Sequence, residues 1–127
     1  MSDLTGRRKG ILIVDDSPDV RRSLREILAE HQHWEVCGEA ENGREAIEKA
    51  VELQADIVIL DLSMPVMNGL DAAREIRKLL PSAQILLFSA FHTENLEEIA
   101  RSAGINAYIP KSDTRTLLAC VSQFADL

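Results

Sequence analysis

The sequence predicts an α/β protein: a five-stranded parallel sheet with helices on both faces, built from five strand–helix units in series. Three observations predict it. Short apolar runs recur from Gly10 onward, and three of them are continuously rich in Ile, Leu and Val. Helix-length segments with apolar residues on one face separate the runs, and turn signals fall at the junctions. A run that is apolar at every position suits a strand buried on both faces, the usual state of a parallel strand. Strand–helix–strand crossovers are nearly always right-handed, which lays helices against both faces of such a sheet.

The elements follow in order. The first strand is Ile11-Leu12-Ile13-Val14. Ser17-Pro18 then opens a helix, since Ser caps and Pro suits the first helical position; Val20, Leu24, Ile27 and Leu28 share one of its faces. The second run, Trp34-Glu35-Val36-Cys37-Gly38-Glu39, partly alternates and so fits an edge strand. Asn42-Gly43 precedes a helical segment over 43–53, followed by the third strand, Ile57-Val58-Ile59-Leu60. Asn68-Gly69 precedes a segment over 70–80, and Pro81-Ser82 introduces the fourth strand, Ile85-Leu86-Leu87-Phe88. Leu96, Ile99, Ala100 and Ala103 line one face of the next helix, with Gly104 placed as a C-terminal cap glycine. The fifth strand is Ala107-Tyr108-Ile109, and Leu117, Val121 and Phe124 mark the last helix.

The chain has 127 residues, enough for one core. Residues 1–9 are expected to be an N-terminal tail and 10–127 a single domain; there is no internal repeat or linker. Hydrophobic residues make up 46% and charged residues 28%, ordinary for a soluble globular protein. The net charge of -7 argues against direct nucleic-acid binding by this chain, because no basic field would draw in phosphates. Arg7-Arg8-Lys9 reads as a solvated tail. No apolar run is long enough to cross a bilayer, and Met1 to Gly6 lack the apolar core of a signal peptide. Cys37 and Cys120 are far apart and without a CxxC partner; they read as buried small hydrophobes in a reducing, cytoplasmic compartment.

Ligands of such sheets bind beyond the carboxyl ends of the strands. The first strand ends in Asp15-Asp16, the third in Asp61 and the fourth in Ser89; Lys111 closely follows the fifth. The second, ending in Gly38-Glu39, contributes nothing comparable. Parallel strands bring these ends to one edge. Three carboxylates there raise one another's pKa values, a conflict that a hard divalent cation such as Mg²⁺ resolves with oxygen ligands. A carboxylate can attack phosphorus to form an acyl phosphate, and catalysis of such a transfer is mostly positioning and charge stabilisation. Lys111 could pair with Asp61 and then with phosphoryl oxygens, to which Ser89 could also donate. Each residue alone has a blander reading: Asp16 or Ser17 as a helix cap, Asp61 as a turn residue, Ser89 as a loop hydroxyl, Lys111 as a surface charge. Their joint occurrence at successive strand ends favours the functional one.

At these residues the chain resembles bacterial response-regulator receiver domains. Ile11-Leu12-Ile13-Val14-Asp15-Asp16-Ser17-Pro18 is similar to the opening of that family. The segment Asp61-Leu62-Ser63-Met64-Pro65-Val66-Met67-Asn68-Gly69 is similar to its phosphoacceptor segment. Ser89-Ala90 and Lys111 stand where its hydroxyl residue and lysine are expected, and the likeness runs from about 10 to 124. The resemblance implies a flavodoxin-like fold with strand order 2-1-3-4-5. It implies that Asp61 accepts a phosphoryl group from a histidine kinase or phosphotransfer protein, or slowly from acetyl phosphate. It further implies Asp16, Asp61 and the main-chain carbonyl of Ser63 as Mg²⁺ ligands, with Asp15 acting through a water. Ser89 and Tyr108 resemble the paired switch residues, which remodel the face made by helix 4, strand 5 and helix 5. Such a domain catalyses only its own phosphorylation and dephosphorylation, and a phosphorylation-dependent homodimer is a further partner the family allows.

Ser112 follows the lysine where many receivers have proline. With the Ala107-Tyr108-Ile109-Pro110-Lys111 segment, this is similar to receivers joined to LuxR-type helix-turn-helix domains, which implies transcription regulation. Ser63 and Phe91 occupy positions that influence phosphoryl lifetime in the family; a plain loop aromatic is the blander reading of Phe91. Two rival enzyme classes fail on motif. Asp15-Asp16-Ser17-Pro18-Asp19 has no phosphate-cradling glycine, and Asp61-Leu62-Ser63 lacks the Asp-x-Asp of haloacid-dehalogenase phosphatases. A receiver fold acting as a phosphorylation-independent interaction module is the alternative; it is expected to lack an acid, the acceptor or the lysine. Both a stand-alone receiver and a fragment of a longer regulator fit the sequence.

Overall fold

The computed structural model describes residues 8–31, 33–90 and 94–126. Ten elements alternate strictly: β1 (Lys9–Val14), α1 (Pro18–Ala29), β2 (Trp34–Ala40), α2 (Gly43–Leu53), β3 (Ile57–Leu60), α3 (Gly69–Leu79), β4 (Gln84–Ser89), α4 (Leu96–Ser102), β5 (Ala107–Pro110) and α5 (Thr114–Ala125). The sheet order is β2-β1-β3-β4-β5, with every neighbouring pair parallel. This is the flavodoxin-like arrangement expected of the sequence. β2 is an edge strand, and its register on β1 shifts between Ile11 and Leu12, so Cys37 is the extra residue of a bulge. The bulge explains why the β2 sequence alternates only in part.

Side-chain alternation along the strands divides the core in two. Leu12, Val14, Val58, Leu60, Ile85 and Leu87 face Ala46, Ala50, Ala72, Ala73, Ile76, Leu96 and Ala100 of α2, α3 and α4. Ile11, Ile13, Ile57, Ile59, Leu86, Phe88 and Ile109 face Leu24, Leu28, Leu117 and Val121 of α1 and α5. Alanine on the inner stripes of α2 and α3 lets those helices sit close to the branched side chains of the sheet. Side-chain caps start four helices: Ser17 accepts from Val20 N–H, Asn42 from Glu45, Asn68 from Asp71 and Asp113 from Thr116. Gly104, at φ 88, follows α4 in the left-handed conformation its position suggested.

Three details differ from the sequence reading. Ile99 is 41% exposed, although Leu96, Ala100 and Ala103 are buried. At 100° per residue Ile99 falls on the flank of that stripe, outside the contact with the sheet. The cysteines are only half-buried. Cys37 packs on the α2 side and Cys120 on the α5 side, so the sheet separates them. Burial, then the charge of Asp113, raises the Cys120 thiol above its ordinary pKa. Lys9, expected in the tail, opens β1 opposite Trp34 and is half-buried; Arg8 before it is exposed and lies 3.5 Å from Glu35, and Met1 to Arg7, and with them most of the expected tail, lie outside the described residues. Among the described residues no helix is long and apolar enough to cross a membrane.

At the amino-terminal edge of the sheet a single arginine joins three segments. Arg77 of α3 donates to the carbonyl oxygens of Gly104 (2.7 Å), Ala83 (2.6 Å) and Pro81 (2.9 Å), and to Asn106 Oδ1 (2.8 Å). Asn106 Oδ1 also accepts from Ile85 N–H at 2.7 Å, so the network reaches the start of β4. Burial alone lowers the pKa of this guanidinium, which has carbonyl rather than carboxylate acceptors. Replacing it strands those acceptors. Arg77→Met is expected to cost about 2–3 kcal/mol of unfolding free energy in urea, the scale of charged hydrogen bonds lost from a partly buried site. Arg77→Lys should recover less than half, because an ammonium has no fork to span the acceptors. A loss below about 0.5 kcal/mol for Arg77→Met, the scale of an ordinary surface substitution, would contradict this account.

Candidate functional site

The backbone ladder continues past the strand ends and carries the polar residues with it. Asp15 N–H donates to Ala40 O and Asp61 N–H to Val14 O, each at 3.0 Å. Lys111 N–H donates to Ser89 O at 3.0 Å. The carboxyl ends of β1, β3, β4 and β5 are therefore registered by main-chain hydrogen bonds.

Asp15, Asp16 and Asp61 converge there, each with a carboxylate oxygen within 4.8 Å of the others. Asp15 (2% exposed) and Asp61 (6%) are buried, whereas Asp16 is exposed. Lys111 Nζ lies 2.8 Å from Asp15 Oδ2 and 3.5 Å from Asp61 Oδ2. The lysine thus pairs more closely with Asp15 than with Asp61, the partner expected from sequence. The other oxygens of the two buried acids are also held: Ser17 N–H donates to Asp15 Oδ1 and Leu62 N–H to Asp61 Oδ1, both at 2.9 Å. Asp16's carboxylate has no hydrogen-bond partner among the described residues.

One ammonium does not balance three carboxylates. Burial first, and the charge of Asp15 second, push Asp61 above the ordinary carboxyl range; Lys111 and the Leu62 amide oppose this without cancelling it. For Lys111, burial pulls the ammonium down, but its hydrogen bond to Asp15 and its attraction to Asp61 and Asp15 outweigh that and leave it raised. An all-oxygen cluster with surplus negative charge and one exposed, unengaged carboxylate fits a hard divalent cation such as Mg²⁺.

The loop from Asp61 to α3 is templated by two helix starts. Gly69 N–H donates to Leu62 O at 2.8 Å, and a Cβ at Gly69 would overlap the Asp61 carbonyl. Gly43 N–H donates to Met67 O at 3.1 Å, and a Cβ there would overlap that carbonyl. Both glycines are required by close approach, a role beyond the turn signals read in sequence. Between them Met67 N–H donates to Pro65 O at 2.7 Å across Val66, which has φ 69 and is 73% exposed. This is a γ-turn of the strained hand, centred on a β-branched residue. Ser63 is exposed in the same loop, two residues past Asp61.

Ser89 is fully buried at the end of β4. Strand alternation puts it on the sheet face of Ile85 and Leu87, the face against which half-buried Tyr108 also packs. Burial, then the charge of Glu97 on α4, raises the Tyr108 phenol. Phe91 lies outside the described residues. The sequence reading gave β2 no part in this edge, yet Glu39 near its end forms ion pairs with Arg21 (2.9 Å) and Arg25 (2.7 Å) of α1. The signal was an acid at a strand end facing arginines four residues apart on one helix.

A family model for the response regulator receiver domain matches residues 11–122. The chain is 46% identical over 103 residues to the chemotaxis protein CheY of Thermotoga maritima, covering 81% of this chain and 85% of that protein. It is 43% identical over 110 residues to a protein-glutamate methylesterase/protein-glutamine glutaminase of Pyrococcus abyssi, but covers only 30% of that longer protein. Among solved structures it resembles a LuxR-family two-component response regulator from Aurantimonas sp. SI85-9A1 (TM-score 0.85, 30% identity, 94% of this chain and 87% of that one). It also resembles the CheX-CheY-BeF3-Mg+2 complex from Borrelia burgdorferi (TM-score 0.85, 29% identity, 94% and 92%).

The raised carboxyl of Asp61 has a consequence for stability. A folded-state pKa above the unfolded value favours the native state fully only below the unfolded pKa, and that advantage is lost as pH rises through the folded value. At neutral pH the ionised Asp61 therefore weakens the fold. In EDTA, Asp61→Asn is expected to raise the urea midpoint at pH 7.5, and the gain should shrink on acidification toward about pH 4, the ordinary carboxyl range. An Asp61→Asn protein less stable than wild type at pH 7.5 would refute the assignment of surplus charge.

Proposed function

This chain belongs to the response regulator receiver family, and on that premise we propose that it is a phosphoryl-accepting switch with Asp61 as the acceptor. The observation that carries the reading is the buried Asp61 carboxylate at the end of β3, beside Lys111 and within 4.8 Å of two further acids. In this reading Asp16, Asp61 and the main-chain carbonyl of Ser63 hold Mg²⁺, with Asp15 acting through a water. The bound cation would supply charge neutralisation and orientation of the phosphoryl oxygens.

The chain's own groups do the rest. An Asp61 oxygen forms the new O–P bond as the P–N bond of a phosphohistidine donor breaks; the imidazole nitrogen keeps the electron pair and takes up a proton. Lys111 turns from Asp61 to a phosphoryl oxygen, and the Ser89 hydroxyl donates to another. Ser89 shares a sheet face with Tyr108, so a shift of the serine is transmitted to the α4–β5–α5 surface, a local charge change biasing a two-state element. The donor is a histidine kinase or phosphotransfer protein, the setting is cytoplasmic, and the modified form can pair with a second copy. With a net charge of -7 the chain has no basic field of its own for nucleic acid, so a role in transcription regulation would act through another domain or partner. Asp15, Asp16, Asp61 and Lys111 are all present and gathered, which favours this over a phosphorylation-independent interaction module.

Incubation with acetyl phosphate and Mg²⁺ should yield a single phosphoryl adduct by intact mass. The adduct should vanish in Asp61→Asn and in EDTA. Asp16→Ala should weaken Mg²⁺ binding by about tenfold or more, as expected for loss of a ligand. Absence of any adduct with acetyl phosphate, beryllofluoride or a cognate kinase would sink the switch reading, and unchanged metal affinity would remove Asp16 from the site.

A further inference from the structure

The acidic pocket has a basic neighbour that the chemistry above does not use. Arg21 of α1 is largely buried, and its Nη1 donates to the main-chain oxygen of Asp15 at 2.6 Å. Its Nε donates to Glu39 Oε1 at 2.9 Å. The other Glu39 oxygen takes Arg25 Nε at 2.7 Å, and Lys49 Nζ donates to the Glu39 carbonyl at 2.6 Å. Arg21 thus bridges the carboxyl ends of β1 and β2, whereas Arg25 engages only Glu39 among the described residues.

The oxygen that Arg21 holds belongs to the peptide joining Asp15 to Asp16. A peptide unit is planar, so fixing its oxygen constrains ψ of Asp15 and φ of Asp16 together. Those angles set the direction of the Asp16 Cα–Cβ bond. Asp15 and Asp61 have their carboxylates tied directly by Lys111 and by main-chain amides. Asp16 has no such tie among the described residues, so its backbone is what aims it. Glu39 completes the device. By engaging Nε, it keeps the guanidinium on the main-chain side of the pocket, where it does not compete as a cation for the carboxylates.

We infer that Arg21, held in place by Glu39, is a positioning residue that fixes the Asp15–Asp16 peptide and thereby aims the Asp16 carboxylate at the divalent cation. The inference rests on the proposed role of Asp16 as a metal ligand. Groups that orient metal ligands commonly change affinity by about 10–100-fold when removed.

The test separates metal affinity from plain stability. Urea unfolding of the full chain is measured across a MgCl₂ titration, and the Mg²⁺ dissociation constant follows from the increment in stability. Arg21→Met is expected to weaken Mg²⁺ about tenfold. Arg21→Lys should stay at least severalfold weaker than wild type, because one ammonium cannot span both acceptors. Arg25→Met, which breaks the other arm on Glu39, should lower stability and leave the Mg²⁺ increment unchanged. An Arg21→Met protein that loses stability equally with and without Mg²⁺ would overturn the inference, as would an Arg25→Met protein weakened as much as Arg21→Met, which would indicate general loosening of the contact between α1 and Glu39 instead of the bond to the Asp15 carbonyl. Should Arg21→Met not fold, Arg21→Lys decides: affinity within twofold of wild type refutes the positioning role. A wild type with no Mg²⁺ increment removes the metal reading itself, whereas a normal wild-type increment retained in the Arg21 variants removes only this inference.

Discussion

The molecule is organised around an imbalance of charge at one edge of a parallel sheet. Parallel strands send their carboxyl ends to the same side, and here those ends deliver Asp15, Asp16 and Asp61 against the single ammonium of Lys111. The ladder hydrogen bonds from Asp15 to Ala40 and from Asp61 to Val14 leave the two buried acids no room to separate. Lys111 sits nearest Asp15, so Asp61 is the less compensated of the buried pair. That asymmetry suits the division of labour proposed for them: the acid that carries less compensation has more to gain from a cation, and it is the one assigned as nucleophile.

An edge under electrostatic and conformational strain needs support from the rest of the fold. Two apolar layers supply most of it, one on each face of the sheet. The opposite edge is tied by Arg77, which joins α3 to the segments leading into β4 and β5. Around the acids the ties are of another kind. Gly43 and Gly69 bring two helix starts against the loop that leaves Asp61, and Val66 holds a γ-turn that a β-branched side chain disfavours. The γ-turn at Val66 thus sits in the loop that leaves Asp61, where strain at a functional site is expected.

The same division explains what could be read from the sequence. The strands were legible because burial on both faces forces apolar runs, and Ile57 to Leu60 has no other economical reading. The acids were legible because each follows such a run directly. Contacts to main-chain oxygen were not, since a carbonyl acceptor leaves no trace in the residue letters: Arg21 on Asp15 and Arg77 on Gly104 look like surface arginines in a list. Val66 was invisible for a related reason, because its unusual φ is imposed by neighbours rather than chosen by its side chain. Ile99 satisfied the periodicity yet lies on the flank of its stripe, and the preference of Lys111 for Asp15 depends on relative depth, which spacing does not encode.

On the proposed reading, the charge imbalance also sets the order in which partners bind. A phosphoryl donor approaching three carboxylates and one ammonium meets net repulsion. A divalent cation in the cluster would cancel that surplus negative charge and remove the repulsion, so cation and phosphoryl group bind with positive coupling. Linkage makes that coupling reciprocal: whatever factor the cation adds to the affinity for the phosphoryl group, the phosphoryl group adds to the affinity for the cation. Arg21 and Glu39 then matter beyond their own contacts. Arg21 is engaged by Glu39 and by the Asp15 carbonyl, so it steadies the Asp15–Asp16 peptide without pairing with the pocket carboxylates. The shortfall left by Lys111 is thereby reserved for a mobile ion, which makes the acceptor's competence conditional on it.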